Sequence, residues 1–94
     1  MNTQISFIVS LLNNHFQSTQ IQVVPPNIFV KVDDIVRIQL SVLEKEVLVS
    51  TMGTFYFSSK NRMDLIKMAI ADIEAILLAS NIRYFIIQRN SATN

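Results

Sequence analysis

Apolar residues near the start of the chain recur at three- and four-residue spacing. Ile5, Ile8, Leu11, Leu12 and Phe16 share one side of a helix, Phe7 and Val9 widen the stripe, and Ser6, Ser10, Asn13, Asn14 and Gln17 stand opposite. This predicts an amphipathic helix over residues 3–16, capped by Asn2 or Thr3 and packed on a sheet. Residues 18–20 form a turn-rich exit. Residues 21–24 are a short run rich in β-branched side chains, stopped by Pro25-Pro26, which lack the amide donors a central strand needs.

The period then changes to two. Ile28, Val30 and Val32 alternate with Phe29, Lys31 and Asp33, and Asp33-Asp34 supplies turn chemistry. In the next strand Val36, Ile38, Leu40 and Val42 form one face and Arg37, Gln39 and Ser41 the other, the cleanest alternation in the chain. Glu44-Lys45 separates it from a strand over residues 47–52. Gly53, the only glycine, is expected at a bulge in a longer strand or at a tight turn between two shorter ones.

A long helical period follows. Residues 58–61 offer caps, with Asn61 and Asp64 at capping-box spacing, and Met63, Ile66, Ala69, Ile70, Ile73, Ile76, Leu77 and Ser80 make one stripe. Asn81 is the expected C-cap, and residues 84–88 form a final strand rich in aromatic and β-branched residues. The expected architecture is α+β: an N-terminal helix, an antiparallel three- or four-stranded meander, a long helix and a C-terminal strand in a two-layer sandwich. One domain over residues 1–90 is expected, with a flexible polar tail over 91–94.

Charge changes this picture. Eight basic and seven acidic residues nearly cancel over 94 positions, which argues against the strong field of a general nucleic-acid binder. All fifteen lie between Lys31 and Arg89, so residues 1–30 carry none. That stretch lacks a basic start, and Asn13, Asn14 and Gln17 end its apolar run, which argues against a secretory signal. No window reaches the about 18 consecutive apolar residues of a spanning helix. With no cysteine, disulfide and thiolate chemistry are excluded, and a cytoplasmic location is expected.

Candidate chemistry is sparse. His15, the sole histidine, would be a general base only with Asp33 or Asp34 beside it, and otherwise reads as a helix-boundary residue. Asp33-Asp34 and Glu44/Glu46 stand at opposite ends of one strand, roughly 30 Å apart, too far to share a cation. Ser59, Lys60 and Arg62 at a helix start, with Lys67, make a possible anion site, although cations there oppose the helix dipole. No catalytic residue, cofactor site or metal site is assigned.

The apolar excess is more informative. Leu43, Phe29, Ile35, Leu65, Met68, Leu78 and Ile87 fall off the main stripes, and contiguous exposed apolar residues mark association surfaces. Phe55, Tyr56 and Phe57, with Tyr84 and Phe85, alternate across strands, so some members must face away from the helices. Phe7, Phe29, Arg37, Gln39, Tyr56 and Leu78 are therefore the candidate partner-binding residues, with Arg37 and Gln39 orienting the contact. The first helix, whose neutral outer face costs less to dehydrate than a charged one, is the preferred shared surface.

The element order, with Ser59-Lys60 at the start of the second helix, resembles double-stranded RNA binding domains; Asn61, Met63 and Asp64 stand where such domains would present lysines. Residues 29–34, 36–42 and 47–53 occupy places similar to the strands of type III secretion chaperones, a resemblance that implies a dimer holding an extended client. The function expected is a non-enzymatic protein-binding module of chaperone, adaptor, immunity or inhibitor type, acting as a homodimer on a protein partner and not at a membrane. Nucleic-acid binding through Arg83 and Arg89 beside Tyr84 and Phe85 is the alternative.

Overall fold

A computed structural model describes residues 3–32, 37–52 and 60–87, with backbone alone at 37, 52 and 60–63. In chain order the elements are α1 (Thr3–Asn13), a 3-10 turn (Ser18–Gln20), β1 (Ile21–Val24), β2 (Asn27–Lys31), β3 (Arg37–Val42), β4 (Val47–Met52), α2 (Lys60–Ala79) and β5 (Tyr84–Ile87). The chain folds as a single α+β domain, as the periodicities predict. Strands lie in the order β1-β2-β3-β4-β5, the first four antiparallel and β5 parallel to β4. The β4–α2–β5 passage explains the parallel pair, because a crossover of this length is what parallel neighbours need.

Both helices cover the same face of the sheet. Ile5, Ile8 and Leu12 of α1 and Ala69, Ile73 and Leu77 of α2 close on Ile28, Val30, Ile38, Leu40, Val42, Val47 and Val49. Alternate residues of β2, β3 and β4 enter this core, so the other set of side chains forms a face that no element among the described residues covers. Among the described residues no polar or charged side chain is buried.

Three expectations need correction. The first helix stops at Asn13 rather than at Phe16, because the Leu12 carbonyl accepts from both His15 N–H (2.9 Å) and Phe16 N–H (2.7 Å), tightening the last turn. The second helix begins at Lys60, so Asn61 lies inside it and the Asn61/Asp64 spacing is not a capping box. The strand expected over residues 28–33 runs over Asn27–Lys31. Residues 33–36, Gly53, the Phe55–Tyr56–Phe57 cluster and residues 88–94 lie outside the described set.

Asn81 ends α2 one position beyond the residue that closes the helix. It has φ 61°, its N–H donates to Leu78 O (3.0 Å), and Ile82 N–H reaches back to Leu77 O (2.9 Å). These two bonds form a Schellman motif, and asparagine is among the few non-glycine residues that tolerate the left-handed conformation it requires.

Candidate functional site

The outer side of α2 carries exposed apolar side chains. Rotation by about 100° per residue puts Leu65, Met68, Ala71, Ala75 and Leu78 on the arc that Ile66, Ile73 and Leu77 leave to solvent. Met68 is 62% and Leu78 65% exposed, with Asp64 and Lys67 among them. Next to this helix runs β5, the edge of the sheet. Its Phe85 and Ile87 lie on the uncovered face, while Ile86, on the helix side by its register with buried Val49, is still 39% exposed. The edge position explains that exposure, since among the described residues no further strand or helix covers it.

A hydrogen bond fixes how α2 sits over β5. Tyr84 donates its hydroxyl to Glu74 Oε2 at 2.9 Å. The carboxylate raises the Tyr84 pKa above its ordinary value, first through the hydrogen bond that the neutral phenol donates, then through desolvation and the carboxylate charge. The Glu74 flank of α2 therefore overhangs β5. On the opposite flank Asp72 Oδ2 lies 3.3 Å from His15 Nε2, tying α2 to the end of α1. Asp33 and Asp34, which would have to stand beside His15 for it to act as a general base, lie outside the described residues; helix packing brings Asp72 to it.

The uncovered sheet face has polar and aromatic parts. Gln39 Nε2 donates to Asn27 Oδ1 (3.1 Å) and to Ser41 Oγ (3.0 Å), and the Ser41 hydroxyl donates to Asn27 Oδ1 (2.9 Å). The register Asn27↔Ser41 and Phe29↔Gln39 makes these residues cross-strand neighbours. Leu48 and Phe85 adjoin them, and the Arg83 guanidinium stands 5.2 Å from the Phe85 ring centroid. The three polar side chains satisfy one another, which fits a structural cluster better than one reaching for a ligand.

On the far side of the sheet a groove of about 520 Å³ runs between α1 and β1, lined by Ile5, Ser6, Val9, Ser10, Asn13, Val23 and Pro25. None of its lining residues is charged. Each belongs to the charge-free stretch of the sequence.

The candidate residues fall on different layers. Phe29 and Gln39 are cross-strand partners on the uncovered face, whereas Phe7 is half-exposed on α1 and Leu78 exposed on α2. Arg37 belongs to β3, and its Cα pairs with that of Lys31. Tyr56 and Ser59 lie outside the described residues; Lys60 and Arg62 occupy the first turn of α2, and Lys67 is exposed two turns into the helix. Leu43, Leu65, Met68, Leu78 and Ile87 are exposed as expected, while Phe29 is half-buried. Asn27, Ser41, Val23, Val24 and Ile86 are not among the candidate residues that the sequence suggests. Asn27 and Ser41 are brought together only by strand register, and the others are exposed only because their strands lie at the sheet edges.

No group of three or more metal-ligand side chains occurs among the described residues, and no helix there is long and apolar enough to cross a membrane. What the geometry defines is a two-layer α+β domain with an apolar helix face, an apolar strand edge and an uncovered sheet face. No protein-family model, no curated protein and no solved structure matches the chain.

Proposed function

We propose that this chain is a small non-enzymatic protein-binding module of the chaperone, adaptor, immunity or inhibitor type, which masks or holds a protein partner and works as a homodimer in the cytoplasm. One observation carries it: large apolar side chains are exposed both on the outer side of α2, at Met68 and Leu78, and on the two faces of the adjoining edge strand, at Phe85, Ile86 and Ile87. Apolar exposure at a strand whose outer edge is open suits association by strand addition and apolar contact. Light scattering at low micromolar concentration, with binding of a hydrophobic dye, tests this. A dimer mass and dye fluorescence are expected; a strict monomer that binds no dye overturns it.

A second function rests on the uncovered face, where Phe29 and Phe85 stand on the same side of the sheet and Arg83 lies over Phe85. Aromatic platforms beside cations suit stacking of nucleic-acid bases. Binding of mixed single-stranded RNA and DNA at low salt, weakened by Arg83→Ala and by added salt, is its test. No detectable binding at low salt excludes it.

A further inference from the structure

We propose that a second copy of this chain docks across β5 and the adjoining flank of α2, joining the two sheets edge to edge about a two-fold axis. The inference rests on the protein-binding function proposed above and assigns its surface.

The strand edge is suited to pair with itself. Val47 N–H donates to Arg83 O at 2.9 Å. In a parallel pair the N–H and C=O of one residue point the same way and alternate along the strand, so Phe85 faces β4 while Tyr84 and Ile86 present both groups to the open edge. Nothing in Tyr84–Ile87 blunts that edge, since the four residues include neither a charge nor a proline. At the other edge β1 runs directly into Pro25-Pro26.

A two-fold axis normal to the sheet pairs residues of equal parity. Tyr84 then lies opposite Ile86 of the second copy, Ile86 opposite its Tyr84, and Phe85 faces its counterpart across the axis. All four outward-pointing backbone groups of each strand are used, and the helices of both copies stay on one side. Ile86, poorly covered within one chain, gains a neighbour.

The helix flank above β5 adds charge complementarity. The Tyr84–Glu74 hydrogen bond places Glu74 over the strand, and rotation along α2 puts Lys67, Ala71 and Leu78 on the same flank. Lys67 precedes Glu74 by two turns, about 10.5 Å of rise. In an antiparallel contact centred near Ala71, Lys67 of each copy meets Glu74 of the other, giving two opposite-charge contacts from one surface. Among the described residues Lys67 has no ion-pair partner. Ala71 at the centre allows the interaxial distance of about 8–10 Å seen in packed helices.

The contact spans about 15 Å along each direction, a few hundred Å² per copy, against about 800 Å² in tight complexes. Dissociation in the micromolar range is therefore expected.

The test is sedimentation velocity on the full chain over a concentration series, with circular dichroism confirming that each variant is folded. Wild type is expected to dimerise. Lys67→Glu and Glu74→Lys each set like charges opposite one another and should weaken the dimer about tenfold, as should Leu78→Glu. An equimolar mixture of Lys67→Glu and Glu74→Lys should recover dimer, because their heterodimer restores both opposite-charge contacts. Val23→Lys on β1 should change nothing. A monomer at all concentrations, a dimer indifferent to Lys67→Glu and Leu78→Glu, a mixture no better than its components, or a dimer broken by Val23→Lys each overturns the proposal. A monomeric wild type that still binds hydrophobic dye overturns this contact and leaves binding to a different protein standing.

Discussion

Ile73 and Met68 lie five residues apart on α2 yet should respond very differently to truncation. Ile73 is fully buried against the sheet, and Met68 is 62% exposed. Alanine improves helix propensity at both sites by a few tenths of a kcal/mol, so propensity nearly cancels from the comparison. Ile73→Ala removes buried carbon and leaves a cavity between α2 and the sheet, at a cost of about 2–5 kcal/mol. A domain of this length has a total stability of about 5–14 kcal/mol, so a loss near 3 kcal/mol is a large part of it. The corresponding fall in Tm is about 12–24 °C. Met68→Ala should stay within about 0.5 kcal/mol of wild type. Urea unfolding followed by circular dichroism, at one fixed protein concentration, measures both; unchanged m-values would show that the denatured state is not what moved. Equal costs at the two sites, or a larger cost at Met68, would refute the assigned orientation of α2.

The α2 terminus, the Tyr84–Glu74 bond and the polar cluster give three further predictions. Asn81→Gly should be neutral or slightly stabilising and Asn81→Ala should cost about 1 kcal/mol in the same urea assay, because φ 61° suits glycine and not a Cβ-bearing alanine. Tyr84 has its pKa raised in the folded chain, so the stabilisation from its neutral phenol is fully present below the ordinary tyrosine pKa of about 10 and is lost as pH rises through the higher folded value. Tyr84→Phe should therefore flatten the alkaline limb of a stability-against-pH curve above about pH 10; an unchanged alkaline limb counts against the Glu74 bond. Gln39→Ala removes two hydrogen bonds from the Asn27–Gln39–Ser41 cluster and should cost about 1–2 kcal/mol, with Asn27 Oδ1 still served by Ser41. No cost would mean that water replaces the cluster.

The sequence shows those parts of the fold whose period is sustained. The i, i+3, i+4 stripe of α2 and the strict alternation of residues 37–42 lead directly to the buried Ile66, Ile73 and Leu77 and to Ile38, Leu40 and Val42. Asn81 was legible because few residues suit the end of a helix. The parallel setting of β5 was not, since four apolar residues in a row do not say which strand they join. The helix start at Lys60 agrees with the Ser59-Lys60 start, but the Asn61/Asp64 capping-box spacing does not hold, because residue type alone does not fix position. His15 illustrates the same limit at the level of the site: Asp72 is 57 residues away in sequence and is reached only when the two helices pack on one sheet. Off-stripe positions such as Met68 and Leu78 could be found because a helix shows its buried side in its period. Exposure of Val23, Val24 and Ile86 could not, because it depends on strand order.

The uneven placement of charge gives the two edges of the sheet different capacities. The charge-free stretch builds α1, β1 and the groove between them, a surface that is inexpensive to dehydrate but has no charge to orient a partner. The opposite edge has comparable apolar exposure at Phe85, Ile86 and Ile87, but above it α2 sets Lys67 and Glu74 two turns apart on one flank. Opposite charges at that spacing favour one direction of approach and one register, whereas apolar contact alone favours many. The self-association proposed above is therefore assigned to the β5 edge and not to the α1 side. A partner docking on the α1 groove would have to be selected by shape, because no charge among its lining residues distinguishes one direction of approach from another.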